Sequence, residues 1–198
     1  MSTPDDMLST PLGDVLGHIA SEVPSPAGGS AAAIAVAMAA GLTAMCARNS
    51  RDEWPEARGA TAQAEALRAR IEPLAQTDAE VYENALAAFR LPERLEPEVR
   101  NATLGVALER AAAIPLAITE VGADVADLAA LLAEKGNPRV QGDAVAGALF
   151  AEAGTRAAAH LVRVNLGTTP EDVRVRRAEA NAEAASRSVR RALGSDDE

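Results

Sequence analysis

The chain has 198 residues, a formal net charge of −10, four aromatic residues and one cysteine. This length fits one domain with a sizeable core, while the negative charge disfavours a nucleic-acid or an anionic-membrane partner. The two histidines and Cys46 cannot form a zinc-type ligand cluster, so we expect no metal. A lone cysteine also excludes an internal disulfide and predicts a reducing, cytoplasmic location.

Alanine is the most frequent residue and runs of β-branched residues are scarce. This composition favours an all-α fold with close packing between helices. We predict a single domain over residues 1–198, a bundle of about six or seven helices around a central alanine-rich helix. The polar ends, 1–10 and 195–198, are expected to be disordered.

A short amphipathic helix is predicted over 11–22, with Leu12, Val15 and Leu16 facing inward. The helix after residue 30 runs to about 49 and carries no charge as far as Ala47. Alanine and glycine contribute little to membrane insertion. We therefore expect this helix to be buried on all sides of a bundle rather than to span a membrane.

Between these two helices, the stretch 23–30 is the most unusual part of the chain. Pro26 favours an extended backbone, and Gly28 and Gly29 let another group approach the main chain closely. Ser30 can cap the helix that follows. A capped tight turn and a helix start that holds an anion or a carbonyl group both fit this pattern.

A periodic apolar stripe then runs from residue 54 to 89, and Asp78 falls in its core-facing phase. A carboxylate in that phase is costly unless it is paired or functional. The alternative is that Pro73 breaks the helix and that residues 77–80 form a capping box. The sequence leaves both interpretations open.

After a linker at 91–97, a helical segment is predicted over 98–135, with Pro115 either kinking it or splitting it in two. The last helix has Thr169 as its predicted cap and Pro170 at its first position.

The loop at 136–143 contains polar side chains that can specify a ligand, including Asn137 and Arg139. Asp143 opens the next helix and is either its N-cap or a ligand-binding group. Asn165, near the end of that helix, makes either a structural bond to a helix end or a ligand contact.

Five short motifs follow one another along the chain: Pro-Ser-Pro-Ala-Gly-Gly-Ser at 24–30, Asp78 with Tyr82, Ala112 to Leu116, Gly136-Asn137 to Gly142-Asp143, and Val164-Asn165-Leu166. In this order they resemble the cyclodeaminase/cyclohydrolase family. The resemblance implies an all-α homodimer that acts on a tetrahydrofolate derivative, with no metal, nucleotide or other cofactor. The reaction would be hydrolysis of 5,10-methenyltetrahydrofolate to 10-formyltetrahydrofolate, or cyclisation of 5-formimidoyltetrahydrofolate with loss of ammonia.

The resemblance also implies a site. Asp78 or Asp143 would be the acid/base and cation-stabilising group. The arginines would meet the glutamyl carboxylates of the substrate, and the asparagines would orient it. The full set of expected substrate contacts is Pro26, Gly28, Gly29, Ser30, Arg48, Asn137, Arg139 and Asn165.

Hydrolysis is slightly preferred, because the sequence contains no formiminotransferase segment from which a formimino group could be channelled. A second hypothesis is a non-catalytic helical homodimer that binds another small ligand or a protein. Two departures from the family motifs motivate it: Ala27 replaces a glycine, and Gly142 replaces a serine.

Overall fold

The structure, a computed structural model, describes residues 7–23, 25, 27–92, 96–167 and 171–195. These residues form six α-helices and one 3-10 turn and contain no strand, so the all-α prediction is confirmed. The elements are α1 (Leu12–Ile19), α2 (Gly28–Arg48), α3 (Ala57–Phe89), α4 (Pro97–Lys135), the 3-10 turn (Pro138–Val140), α5 (Gln141–Leu166) and α6 (Val173–Ala192).

The alanine-rich helix α2 packs against α3, α5 and α4, and α6 closes the bundle against α4 and α5. The core is built mainly from alanine, with few large side chains fully buried, among them Ile71, Ile118 and Leu132. Small side chains let helix axes come close, so the core consists of tight backbone contacts rather than interlocked bulky groups.

Two glycines of α5 make the closest of these contacts with α2. A Cβ on Gly154 would lie 2.7 Å from Val36 Cγ2 and 2.8 Å from the carbonyl oxygen of Ala32. A Cβ on Gly147 would lie 3.4 Å from Thr43 Oγ1 and 3.5 Å from the carbonyl oxygen of Ala39. Because the earlier glycine meets the later part of α2, the two helices are antiparallel.

Several predicted boundaries differ from the observed ones. Neither Pro73 nor Pro115 breaks its helix, since α3 and α4 continue through them. The last helix begins at Val173 with Asp172 as N-cap, whose Oδ1 accepts a bond from the Arg174 N–H at 2.8 Å. The predicted cap, Thr169, and the proline after it lie outside the described residues.

The N-terminal segment is also better anchored than expected. Met7 is buried, and its backbone N–H donates to Gln76 Oε1 at 3.2 Å. In α1 only Val15 is buried, whereas Leu12 and Leu16 are 62% and 57% exposed. The prediction that these two leucines face inward is wrong for the single chain, because no other described helix covers them.

The expectation that α2 is buried on all sides is also wrong. Eleven of its 21 residues are buried, but Met38 at its centre is 51% exposed. Among the described helices only α2 is long and apolar enough to cross a membrane, yet 56% of its most apolar window is buried within the bundle. Core helices meet the same criterion, so composition alone is weak support for a membrane span.

Seven exposed apolar side chains lie on α1, α2 and α5 or, for Leu8, just before α1. We call this set the α1–α2–α5 face; it comprises Leu8, Leu12, Leu16, Met38, Leu149, Phe150 and Val164. Leu8 lines shallow clefts with both Leu12 and Met38, and exposed apolar surface of this kind is typical of an interaction site.

Replacing Gly154 with alanine should destabilise the protein by about 1–3 kcal/mol, because the new methyl group meets backbone of α2 that cannot move away. The matched control is Gly59→Ala, at an exposed helical position with open space around it. The control should gain up to about 1 kcal/mol from helix propensity. Urea unfolding measures both, and equal effects at the two positions would contradict the close packing of α2 and α5.

Candidate active site

Asp78 lies in the middle of α3 and is 8% exposed. It is the only buried carboxylate among the described residues. The core-facing interpretation of Asp78 is therefore confirmed. The capping-box alternative is wrong, because the helix is continuous and the Thr77 hydroxyl donates within α3 to the Pro73 carbonyl at 2.9 Å.

The Asp78 carboxylate contacts the first turn of α2. A Cβ on Gly29 would overlap the carboxylate, so only glycine leaves room at this position. The backbone N–H of Ser30 faces the carboxylate and favours its ionised form. The Ser30 hydroxyl lies 3.3 Å from Asp78 Oδ2 and 2.8 Å from the carbonyl oxygen of Ala75.

Ser30 is therefore not the N-cap of α2, and the prediction that it caps this helix is wrong. The helix begins two residues earlier, at Gly28, with Ala27 at the N-cap position and no capping side chain. Free N–H groups at a helix start need acceptors, and here a carboxylate from α3 supplies one. The acceptor at the start of α2 is therefore Asp78 of another helix, and not a side chain close by in the sequence.

Burial raises the pKa of Asp78 above its ordinary value of 3.8, while the hydrogen bonds from Ser30 oppose this shift. The Ser30 hydroxyl proton has the Ala75 carbonyl as its nearer acceptor. A protonated Asp78 can therefore donate its own O–H to the Ser30 oxygen. The site accommodates both protonation states, which suits an acid/base group.

The end of α5 lies beside this helix start. Leu161 Cδ1 would be 3.7 Å from a Cβ on Gly28, and Gly28 itself is exposed. Tyr82 is half-buried one turn beyond Asp78 on α3. We call Gly28, Gly29, Ser30 and Asp78 the Asp78 group; Gly28 is its exposed member.

Asn165 makes a structural bond rather than presenting a free amide. Its Nδ2 donates to the carbonyl oxygen of Ala111 at 2.8 Å. Ala111 is four residues before Pro115, which has no N–H to complete the helical bond to that carbonyl. Asn165 therefore donates the hydrogen bond that Pro115 cannot donate to the Ala111 carbonyl. The ligand contact expected of its amide nitrogen is not supported.

Asn137 is similarly engaged at the opposite end of α2. Its backbone N–H donates to the Ser50 hydroxyl, its Nδ2 donates to the carbonyl of Asn49, and its Oδ1 accepts from the Arg139 N–H, each at 2.9 Å. These bonds fasten the 136–140 loop to the segment that follows α2.

Arg48 pairs with Glu65 of α3. Arg139 is exposed, and its guanidinium makes no ion pair with any described residue. Asp143 is exposed in the first turn of α5; the N-cap is Val140, so the N-cap interpretation of Asp143 is wrong. Burial, followed by the charge of Asp143, raises the pKa of the nearby Cys46 thiol to about 11.

The predicted residues therefore form two groups rather than one. We call Arg48, Asn137, Arg139 and Asp143 the Asp143 group. It lies about 27 Å along the α2 axis from the Asp78 group, at about 1.5 Å of rise per residue. Pro26 lies outside the described residues, and Asn165 sits at the Asp78 end as a structural residue.

Within the described part of the chain no three His, Cys, Asp or Glu side chains gather in a way that could hold a metal ion. The Asp78 group offers a carboxylate with a raised pKa, a serine hydroxyl and the positive end of a helix. The carboxyl group can transfer protons, and in its ionised form, which the helix end favours, it can stabilise a cationic ligand.

Fold and site together define an all-α protein with a buried acid/base carboxylate at the start of its central helix. The family model for formiminotransferase-cyclodeaminase matches residues 11–184, and the chain belongs to that family. A methenyltetrahydrofolate cyclohydrolase of Methylorubrum extorquens (strain AM1) is 37% identical over 158 residues, 76% of each chain. The crystal structure of formiminotetrahydrofolate cyclodeaminase from Thermotoga maritima matches with a TM-score of 0.80 at 25% identity, covering 96% of this chain and 98% of that one. The family resemblance stated from the sequence is confirmed.

Asn165→Ala should cost about 1–2 kcal/mol of stability, because it leaves the buried Ala111 carbonyl without a partner. In a Pro115→Ala background the cost should shrink, since the new N–H at position 115 can bond to that carbonyl. A double-mutant cycle by urea unfolding should give a coupling energy of about 1 kcal/mol. Strict additivity would show that Asn165 does not replace the missing helical bond.

Asp78→Asn should change how stability depends on pH. The raised pKa means that the native state holds this proton more tightly than the unfolded chain does. That contribution is fully present below about pH 4 and is lost as the pH rises through the native pKa. Relative to the wild type, Asp78→Asn should therefore gain stability between about pH 4 and 7. Urea unfolding across this range measures the effect, and the exposed Asp124→Asn is the control. A stability difference between Asp78→Asn and the wild type that does not change with pH would contradict the raised pKa of Asp78.

Proposed function

We propose that this protein is a folate one-carbon enzyme that hydrolyses 5,10-methenyltetrahydrofolate to 10-formyltetrahydrofolate. The observation that carries the proposal is the buried Asp78 carboxylate, with its raised pKa, at the start of α2. The second candidate is the cyclisation of 5-formimidoyltetrahydrofolate with loss of ammonia.

The hydrolysis needs one proton acceptor and one proton donor. Water adds to the bridging carbon of the methenyl cation, a C–O bond forms, and one proton leaves the attacking water. The bond from that carbon to N5 then breaks, N5 receives a proton, and the new hydroxyl loses its own to become the formyl group. The net change is the uptake of one water and the release of one proton.

Asp78 would serve both transfers. Its carboxylate can accept the proton of the attacking water, and the resulting acid can donate it to N5. Ser30, whose hydroxyl oxygen lies 3.3 Å from Asp78 Oδ2, would help to fix the position of the carboxyl group. The negative carboxylate also stabilises the cationic substrate before water adds.

Hydrolysis ranks above ammonia loss because of the two relatives. The protein of 37% identity is named a cyclohydrolase, while the cyclodeaminase structure is 25% identical. Both reactions pass through a tetrahedral carbon between two nitrogens, so the Asp78 group serves either. The difference lies in the leaving group, which is N5 in hydrolysis and ammonia in cyclisation.

The two departures from the family motifs leave the Asp78 group intact. Ala27 has a φ of −126° and a ψ of −154°, an extended conformation that alanine adopts without strain. Gly142 is exposed with nothing within 4 Å of its added Cβ, so the residue supports no internal contact. Neither change disturbs Asp78, which favours the enzyme over the non-catalytic alternative.

The remaining expectations are part of the same proposal. The protein would work as a homodimer, without metal or added cofactor, in the cytoplasm. The α1–α2–α5 face supports the homodimer, and the lone, buried Cys46 fits a reducing compartment.

Asp78→Asn should lower kcat for methenyltetrahydrofolate hydrolysis at least about 10²-fold with a smaller effect on KM, because it removes the proton acceptor. The decay of the methenyl absorbance measures the rate, and ammonia release from the formimidoyl compound is measured in parallel. Asp124→Asn, an exposed carboxylate on α4, is the control and should retain the wild-type rate. A wild type inactive in both assays would overturn the proposed function, and an active Asp78→Asn would overturn the role of Asp78.

A further inference from the structure

We propose that the p-aminobenzoyl-glutamyl part of the folate substrate binds in a cleft between α3 and the segment before α2, where Arg90 meets the glutamyl carboxylates. This inference rests on the proposed function and deepens it, because it places the part of the substrate that does not react. Arg48 and Arg139 were predicted in this role, but within one chain they lie about 27 Å along α2 from the Asp78 group.

Helix α3 extends well beyond its contact with the start of α2. The Asp78 carboxylate meets the first turn of α2 at Gly29 and Ser30. From Asp78, α3 continues for about another 16 Å to Phe89. A ligand whose reacting carbon lies at Asp78 therefore has a further stretch of α3 along which its remainder can bind.

A cleft runs along this stretch of α3. Its volume of about 350 Å³ is within the range of small-molecule sites. Residues of two segments line it: Val23 and Ser25 before α2, and Glu83, Leu86, Ala87 and Arg90 on α3. The cleft therefore lies between the continuation of α3 and the segment that leads into α2.

The cleft adjoins the Asp78 group. Ser25 is 2% exposed, and its hydroxyl donates at 3.3 Å to the carbonyl oxygen of Ala79, the residue after Asp78. The segment that contains Ser25 then enters α2 at Gly28. One elongated ligand can therefore contact both the Asp78 group and the cleft.

The length of the cleft fits the unreacting part of the substrate. Along the α3 axis, Arg90 lies about 18 Å from Asp78. Helical side chains lean towards the N-terminus of their helix, so the guanidinium covers the turn before Arg90 and leaves about 13 Å. A benzoyl ring with one glutamate is about as long as three to four extended residues, roughly 10–14 Å.

The charges at the two ends match those of the substrate. The methenyl bridge is cationic, and Asp78 in its ionised form stabilises a cation. The glutamyl part is anionic, and Arg90 is exposed and makes no ion pair with a described residue. A guanidinium can bind a carboxylate through paired hydrogen bonds. Because Glu83 lies between these ends on α3 and repels carboxylates, it favours binding of the glutamyl part at Arg90.

The wall between the two charged ends suits a benzoyl ring. Val23, Leu86 and Ala87 give it apolar surface, and Val23 and Leu86 are half-buried. Contact with the ring would remove this surface from water. Along α3 the chain thus presents an acid, an apolar wall and a base, in the order in which the substrate carries its cation, its ring and its carboxylates.

Binding of p-aminobenzoylglutamate, measured by titration calorimetry, tests the cleft without any reaction. The wild type should bind this fragment, and Arg90→Gln should bind it about tenfold more weakly, because a charge-assisted hydrogen bond is lost. The control is Arg58→Gln, an exposed arginine near the start of α3 that makes no ion pair with a described residue. It should bind like the wild type. No binding by the wild type, or equal binding by the wild type and Arg90→Gln, would overturn the proposal.

A kinetic comparison shows whether Arg90 acts through the glutamyl group. Arg90→Gln should raise KM for methenyltetrahydrofolate about tenfold and leave kcat nearly unchanged. With the methenyl derivative of tetrahydropteroylamide, in which a neutral amide replaces the glutamate, wild type and Arg90→Gln should have the same KM. An equal rise in KM for both substrates would mean that the substitution disturbs the structure, and would overturn the role of Arg90. An inactive wild type that still binds the fragment through Arg90 would overturn the proposed reaction and leave the cleft established.

Discussion

The contact between the Asp78 carboxylate and the first turn of α2 determines how the two central helices meet. A helix start has N–H groups without partners, and a buried carboxylate has oxygens without partners. Each provides what the other lacks, provided that Gly29 leaves space between them. The same contact positions the one buried acid of the described structure at the end of the bundle, where Gly28 is open to solvent. Fold and chemistry therefore depend on one interaction.

The alanine-rich core imposes a second constraint, because polar groups inside it must find partners at short range. Thr43 and Thr155 are fully buried, and each donates to the carbonyl four residues earlier in its own helix, at 2.8 and 2.7 Å. Where Pro115 removes an internal bond, Asn165 of a neighbouring helix replaces it. Such local pairing lets helices approach closely without leaving a buried polar group unsatisfied.

The sequence predicted the helices and the phase of Asp78 because both follow from apolar periodicity along one segment. It misassigned Ser30, since capping rules consider only neighbours in sequence, whereas the acceptor came from α3. Asn165 was ambiguous for the same reason, although the missing N–H of Pro115 pointed to an unpaired carbonyl at Ala111. Periodicity also could not show that α2 has an open face, because alanine fits a core, a helix contact and a subunit interface equally well.

Two opposing effects act on Asp78, and their balance fits the proposed reaction. Burial raises its pKa, while the Ser30 hydrogen bonds and the positive helix end favour the ionised form. A cationic substrate beside it would lower this raised pKa, so the carboxyl group would ionise as the substrate binds. Addition of water then neutralises the cation and removes that stabilisation. The affinity of Asp78 for a proton would thus rise at the step in which the attacking water must lose one, and no movement of the protein is needed for this coupling.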